Sequence, residues 1–127
     1  MSWRWVDRRA LVLLHEDSLA EHGGARGLRD EGLLDSALAR HLNLGAYGQP
    51  DVAELAASYG VGLAKNHPVV DGNKRAAFLA VGLFLGLNGQ RLVVDQVDAT
   101  FTILAVAAGT LDETQFAAWI RQHAVPR

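Results

Sequence analysis

Apolar residues recur at helical spacing along most of this 127-residue chain, and the pattern predicts a succession of helices. The first helix is predicted over Val6–His22, because Gly23 and Gly24 can adopt the left-handed conformation that ends a helix. A second, shorter helix is predicted after Asp30. Its apolar face follows the spacing i, i+3, i+4, i+7 and consists of Leu34, Ala37, Leu38 and His41. The residues from Leu42 to Pro50 are predicted to form a loop.

A third helix is predicted from Asp51 to about Asn66. Asp51 with Glu54 three residues later has the pattern of a capping box. The apolar stripe of this helix consists of Val52, Leu55, Ala56, Tyr59 and Leu63. Gly60 and Gly62 lie within the stripe, where each costs about 1 kcal/mol relative to alanine. We therefore expect the next helix to pack closely against the backbone at these glycines.

The fourth helix, Ala76–Leu87, is apolar on every face and ends at Asn88 and Gly89. This pattern is typical of a helix that is surrounded by others in a bundle, so Ala76–Leu87 is predicted to be the central helix.

A short extended stretch, Leu92–Val94, precedes the two last predicted helices. Asp95 caps the first of them, which ends at Gly109, and Asp112 caps the second. Their apolar stripes consist of Val97, Phe101, Leu104, Ala105 and Ala108 in the first, and Phe116, Trp119, Ile120 and His123 in the second. The predicted fold class is all-α: one domain over residues 1–127, built as a compact bundle of about six helices around a buried central helix.

Composition and charge narrow the function. The chain is 50% hydrophobic and 20% charged, which is typical of a folded globule rather than a disordered tail. It contains no cysteine, which excludes a thiolate zinc site, a cysteine nucleophile and an iron–sulfur cluster. The net charge is −2 and the isoelectric point is about 6.2, so no broad cationic field attracts nucleic acid or lipid. An anionic ligand must therefore be bound by a local cluster of cations.

No targeting or membrane segment is expected. The apolar stretch Ala10–Leu14 is interrupted by His15, Glu16 and Asp17, which is unlike a signal peptide. The apolar run before Asn88 is shorter than the roughly 18 to 20 residues that cross a bilayer. We expect a soluble cytoplasmic protein that binds no membrane.

The densest polar cluster is the loop Asn66–Arg75, between the third and fourth helices. Pro68 disfavours helical geometry at His67, so the third helix should stop there and leave the imidazole at the mouth of the loop. Gly72 permits a positive φ and can bring free backbone N–H groups to the start of the next helix.

Charges in this loop favour a phosphate ligand. Lys74 and Arg75 fall in the first turn of a helix, where a cation costs about 0.3 to 1 kcal/mol unless an anion binds there. Asp71 suits either a helix cap or a Mg²⁺ ligand, and His67 is a base poised near neutral pH. Each residue alone also has an ordinary structural interpretation, as a turn or a solvated pair. Their coincidence in one loop favours function.

The string His67–Arg75 resembles the signature loop of the Fic/Doc superfamily, His-Pro-Phe-x-Asp/Glu-Gly-Asn-Gly-Arg-x-x-Arg. Lys74, in place of the second glycine of that pattern, is similar to the death-on-curing (Doc) branch. Val69 stands where the pattern has Phe, and Phe78 stands where it has the second Arg. The similarity to death-on-curing toxins covers nearly the whole chain and includes Leu14–Asp17, Gly23–Gly24, Gly27–Asp30, Gly32–Leu34 and Leu85–Gly89.

The resemblance implies an α-helical toxin of a bacterial toxin–antitoxin pair that inhibits translation by ATP-dependent phosphorylation of elongation factor Tu. His67, Asp71 and Arg75 would be its catalytic residues, with His67 as the general base and Asp71 as the Mg²⁺ ligand. The phosphates of ATP would be bound by Gly72, Asn73, Lys74 and Arg75. By the logic of the family, Lys74 and Phe78 favour phosphoryl transfer over transfer of AMP.

Other hypotheses remain open at this stage. The chain could be a nucleotidyl transferase of the Fic type, or a catalytically silent module that binds a partner. The resemblance also implies a cognate antitoxin whose disordered C-terminal segment folds as a helix into a groove, with DNA contacted only through that antitoxin. Trp3 and Trp5 are predicted to attach the N-terminal segment to the bundle. The other histidines are predicted to be surface or core residues rather than metal ligands: His15, His22, His41 and His123.

Overall fold

The computed structural model describes residues 3–46 and 48–127 and confirms the all-α class. Its elements, in chain order, are α1 (Arg8–His22), α2 (Glu31–Leu38), α3 (His41–Ala46), α4 (Val52–Asn66), α5 (Asn73–Leu87), β1 (Gln90–Leu92), α6 (Gln96–Ala108), α7 (Glu113–His123) and β2 (Ala124–Pro126). Among the described residues, β1 and β2 form a two-stranded sheet, and the remaining elements are helices.

The centre of the bundle is α4. Eleven of its fifteen residues are buried, against six of fifteen in α5, and it packs against α2, α3, α5, α6 and α7. The prediction that Ala76–Leu87 is the central helix is therefore wrong. The burial of α4 was not evident from the sequence because this helix contains polar side chains. These side chains are buried together with hydrogen-bond partners inside the fold. Ser58 Oγ donates to the Leu55 carbonyl at 2.7 Å, and the Tyr59 hydroxyl accepts from the Val6 N–H at 3.2 Å.

Burial also raises the pKa of the Tyr59 hydroxyl, because the charged phenolate would lose its hydration. The same effect lowers the pKa of His41, whose imidazole stacks on Trp5 with the ring centroids 4.0 Å apart. Trp5 and Trp3 both lie near Phe84, at 5.8 and 6.2 Å between ring centroids. These contacts confirm that the two tryptophans attach the N-terminal segment to the bundle.

The two glycines of α4 face different neighbours. A Cβ atom on Gly60 would lie 2.7 Å from Phe116 of α7 and 3.0 Å from Val81 of α5. A Cβ atom on Gly62 would lie 3.1 Å from the Ala37 backbone in α2. The expected close approach is present, and its attribution to α5 holds only for Gly60. A central helix meets a different helix on each of its faces.

The predicted loop from Leu42 to Pro50 begins as a helix, α3. The chain turns at Ala39 and resumes helical bonding, with Leu42 N–H donating to the Ala39 carbonyl at 3.0 Å. His41 therefore belongs to α3 rather than to the face of α2. Leu44 packs against the core, and this contact stabilises α3. The spacing of apolar residues in the sequence does not indicate it. Tyr47, within the predicted loop, lies outside the described residues.

The apolar stripe predicted for α6 faces solvent. Val97 is 65% exposed, Phe101 69% and Leu104 43%, whereas the buried residues of this helix are Thr102, Ile103 and Val106. Both faces of α6 are apolar, so periodicity could not select the one that packs. The Thr102 hydroxyl is satisfied inside the helix, donating to the Asp98 carbonyl at 2.8 Å.

The observed boundaries of α1 and of the extended stretch predicted over Leu92–Val94 differ from the prediction, and strand β2 was not predicted. Helix α1 begins two residues late because Asp7 is its cap and accepts from the Arg9 N–H at 3.0 Å. The extended stretch after α5 is β1, which pairs antiparallel with β2, Arg91 opposite Val125. Among the residues that the structure describes, no helix is long and apolar enough to cross a membrane.

Candidate functional site

The site begins where α4 ends, at His67. This residue has φ 51° and ψ 52°, the left-handed conformation. Helix α4 stops before His67, as predicted from Pro68, which disfavours right-handed helical geometry there. Arg29 stabilises the turn from outside the helix. Its Nε donates to the His67 carbonyl at 2.6 Å, and a terminal guanidinium nitrogen donates to the Asn66 carbonyl at 3.0 Å. The imidazole of His67 is exposed at the mouth of the loop.

The backbone around Arg29 holds the next part of the loop. The N–H groups of Arg29 and Asp30 both donate to the Pro68 carbonyl, at 2.8 and 3.1 Å, and the Val70 N–H donates to the Gly27 carbonyl at 3.0 Å. Backbone groups that are paired in this way restrict the motion of the loop, which a reacting group requires for its positioning.

Asn73 fastens the loop from within. Its side-chain oxygen accepts from the Val69 N–H at 3.0 Å, and its side-chain nitrogen donates to the Val69 carbonyl at 3.1 Å. Val69 itself is 5% exposed. Both polar atoms of the Asn73 side chain are therefore engaged by Val69, and a phosphate could meet the backbone N–H of Asn73 or the second hydrogen of its side-chain nitrogen.

Replacing Asn73 by aspartate should separate these two hydrogen bonds. Aspartate can accept from the Val69 N–H but cannot donate to the Val69 carbonyl, so we expect Asn73→Asp to lower the free energy of unfolding by about 1 to 3 kcal/mol. Urea unfolding followed by tryptophan fluorescence measures this change. Asn73→Ala should cost at least as much, and equal stability of all three proteins would contradict the role assigned to Asn73.

The N-terminus of α5 is open. Gly72 precedes it with φ 77° and provides no side-chain cap, and the first helical bond runs from the Ala76 N–H to the Gly72 carbonyl at 2.8 Å. Within residues 3–46 and 48–127, the N–H groups of Asn73, Lys74 and Arg75 have no acceptor. Free N–H groups at the positive end of the helix dipole favour an anion.

The cations beside this helix start are also free. Lys74 and Arg75 are exposed, and neither forms an ion pair with any residue in the described part of the chain. Four other arginines form ion pairs within the described residues, among them Arg8 with Asp35 at 2.9 Å. A ligand that carries negative charge would meet two unpaired cations and several free N–H groups together.

Asp71 is the carboxylate of this site. One of its oxygens accepts from the Ala25 N–H at 3.2 Å, and the other has no partner among the described residues. Those residues contain no cluster of three acidic or histidine side chains that could hold a metal by itself. A lone carboxylate with a free oxygen fits Mg²⁺, which proteins bind through one or two carboxylates together with substrate phosphates.

These groups line one open cleft of about 380 Å³. All six residues predicted from the sequence lie along it: His67, Asp71, Gly72, Asn73, Lys74 and Arg75. The structure thus brings the predicted residues together, and their chemical roles remain predictions.

Two residues that contribute to the site were missed as such. Arg29 lies between the first two helices and His15 lies within α1, yet both contact the loop backbone. Sequence spacing carries no signal for either contact, because each joins segments at least 37 residues apart. His15 was predicted only to be a surface or core histidine, and it is a core residue, 4% exposed.

Comparison with known proteins agrees with this geometry. The Fic/DOC family matches over residues 5–85, which include the entire loop. The chain belongs to the Fic/DOC family. It is 44% identical over 75 residues to the Toxin Doc of Mycolicibacterium smegmatis, a match that spans 58% of each protein. It is 29% identical over 120 residues to the protein kinase doc of Escherichia phage P1, and this match spans 94% of each protein.

The structure shows where two residues lie that differ between this Fic/DOC protein and the signature pattern. Lys74, which stands where the pattern has a glycine, lines the cleft in the first turn of α5. Phe78, in place of the second arginine, packs against the core with its ring 6.2 Å from Trp119. The cleft therefore lacks the cation that the pattern would place one turn along α5.

Proposed function

We propose that this Fic/DOC protein transfers the γ-phosphoryl group of ATP to a hydroxyl group of another protein, and that it acts as the toxin of a toxin–antitoxin pair. One observation carries the proposal: an exposed histidine in a fixed turn stands beside an open helix start with two unpaired cations. The names of its relatives, Toxin Doc and protein kinase doc, support the proposal.

His67 is the general base of the proposed reaction. An imidazole nitrogen accepts the proton of the acceptor hydroxyl, whose oxygen forms a bond to the γ-phosphorus of ATP. The bond from that phosphorus to the bridging oxygen breaks, and ADP leaves with the electron pair. Phosphoryl transfer requires mainly positioning and charge stabilisation from the protein, and the exposed imidazole at the cleft mouth is accessible to an incoming acceptor.

The α5 N-terminus binds the phosphates. The free N–H groups of residues 73 to 75 donate to phosphate oxygens, and the side chains of Lys74 and Arg75 neutralise their charge. Asp71 would hold Mg²⁺ through its free oxygen. An ion held there would supply positive charge that stabilises the phosphates.

Transfer of AMP is the alternative reaction, and Phe78 argues against it. An adenylyl donor must be held with its α-phosphorus at the acceptor, which requires cations for the phosphates beyond it. At position 78 this chain has an aromatic ring packed against the core instead of an arginine. Lys74 adds a positive charge to the lining of the cleft, and this charge favours binding of the terminal phosphate of ATP.

Elongation factor Tu is the proposed acceptor. The purified protein, ATP and Mg²⁺ are incubated with elongation factor Tu, whose mass is then measured. We expect an increment of one phosphoryl group, and an adenylyl increment would establish the alternative. Absence of any increment with the unaltered protein would exclude both reactions on this acceptor. If His67→Ala were as toxic in cells as the unaltered protein, the chain would be a silent binding module.

The proposed neutralising partner is an antitoxin whose C-terminal segment folds into a groove of this protein in the cytoplasm. Its binding would bury apolar surface and order a disordered segment. Co-expression with the product of the neighbouring upstream gene should give a stable complex, and failure of the two proteins to co-purify would count against this partner. We expect this chain to contact DNA only through the antitoxin.

A further inference from the structure

A buried histidine outside the cleft contacts the back of the signature loop. His15 extends from α1 and is 4% exposed. Its Nε2 lies 2.9 Å from the Asp71 carbonyl oxygen. The other ring nitrogen, Nδ1, is buried and has no hydrogen-bond partner in the described part of the chain.

We infer that His15 is a positioning residue, which keeps the phosphate-binding start of α5 open by engaging the Asp71 carbonyl. The inference rests on the proposed function, since it assigns His15 to the site that would bind ATP. It adds to that function a residue on a different helix, α1, which packs against α5.

The hydrogen bond determines which tautomer His15 adopts. A carbonyl oxygen can only accept, so Nε2 must carry the hydrogen. The other ring nitrogen, Nδ1, is then a buried polar atom without a partner among the described residues. The protein thus keeps a polar atom without a partner, at a cost in stability, in order to direct Nε2 at the loop.

The register of α5 explains what this bond achieves. If the helix extended one residue further back, the Arg75 N–H would donate to the Asp71 carbonyl, its partner four residues earlier. The structure instead begins helical bonding with Ala76 and Gly72. The Asp71 carbonyl is engaged by His15 instead, and the Arg75 N–H remains available for a phosphate oxygen.

The ring of His15 also supports the turn at Gly72. A Cβ atom on Gly72 would lie 2.9 Å from His15 Cε1, so the imidazole fills the space that any side chain at Gly72 would need. The left-handed Gly72 and the ring beneath it fit each other. Together they shape the turn that leads into α5.

Two substitutions separate the donor from the ring. His15→Phe keeps a ring of similar size but removes the Nε2 donor, and His15→Gln keeps an amide donor near the position of Nε2. We expect His15→Phe to raise the Kd for ATP with Mg²⁺, and the KM for ATP, about tenfold, with a smaller change in kcat. His15→Gln should stay within about threefold of the unaltered protein. His22→Phe, an exposed position on the same helix, is the matched control.

A purely structural role for His15 would give a different result. It would lower the melting temperature in both variants while the folded fraction bound ATP normally. An unchanged Kd for ATP in folded His15→Phe would therefore overturn the inference, as would a loss in His15→Gln equal to that in His15→Phe.

A spectroscopic measurement tests the inference without any nucleotide. Long-range ¹H–¹⁵N correlation of the unaltered protein should show a hydrogen on Nε2 of the His15 ring. An Nε2 without hydrogen would overturn the inference even if His15→Phe failed to fold. If the unaltered protein bound no nucleotide while the expected Nε2 hydrogen was present, the proposed function would fail and the hydrogen bond to Asp71 would stand.

Discussion

Replacing His67 by alanine is expected to reduce the kcat of phosphoryl transfer by about 10²- to 10⁴-fold, the usual contribution of a general base. The exposed imidazole makes no hydrogen bond with the described residues, and the turn at this position is held by Arg29, which donates to the His67 carbonyl, rather than by the His67 side chain. The melting temperature and the Kd for ATP should therefore stay close to those of the unaltered protein. Initial rates at saturating ATP, together with calorimetric binding of ATP, measure the two effects separately.

His22→Ala is the matched control, because His22 is an exposed histidine that lies outside the cleft. It should leave kcat unchanged. Full activity in His67→Ala would remove His67 from the reaction. A parallel loss of activity and ATP binding would instead assign His67 to nucleotide binding.

Replacing Arg75 by alanine is expected to change stability and binding in opposite directions. A cation in the first turn of a helix opposes the helix dipole, so its removal should raise the free energy of unfolding of the ligand-free protein by about 0.3 to 1 kcal/mol. A charge-assisted hydrogen bond to phosphate contributes about 1.5 to 3 kcal/mol. The Kd for ATP should therefore rise by roughly 10- to 150-fold. Urea unfolding and calorimetry measure the two quantities.

Arg91→Ala provides the control for this prediction. Arg91 is an exposed arginine on β1, outside the cleft, and its replacement should leave the affinity for ATP unchanged. Weaker ATP binding in Arg75→Ala without any gain in stability would show that Arg75 has a structural partner. If Arg75→Ala bound ATP as tightly as the unaltered protein, the cation would have no part in the site.

Features encoded within a few residues could be predicted from the sequence. The caps at Asp51, Asp95 and Asp112 accept from backbone N–H groups three residues ahead, as the short-range patterns indicate. The end of α4 at Asn66 follows from Pro68, which disfavours helical geometry at His67, and the open start of α5 follows from Gly72. Each of these depends on local backbone chemistry, which a single sequence contains.

Features that depend on contacts between distant segments could not be predicted. The packed face of α6 and the central position of α4 are decided by what the rest of the bundle offers, because the apolar patterns of these helices allow more than one arrangement. Arg29 and His15 act on the loop from other elements. The candidate reacting groups of the site could therefore be predicted from the sequence, whereas the side chains that hold the loop could not.

The open start of α5 also makes the protein a reporter of its own ligands. Lys74 and Arg75 repel the helix dipole in the empty protein, and any anion that binds there relieves this repulsion. A ligand present at 100 times its Kd raises the free energy of unfolding by about 2.7 kcal/mol, which is readily seen as a shift in melting temperature. A panel of nucleotides, with and without Mg²⁺, could thus be ranked by thermal shift before any acceptor protein is in hand.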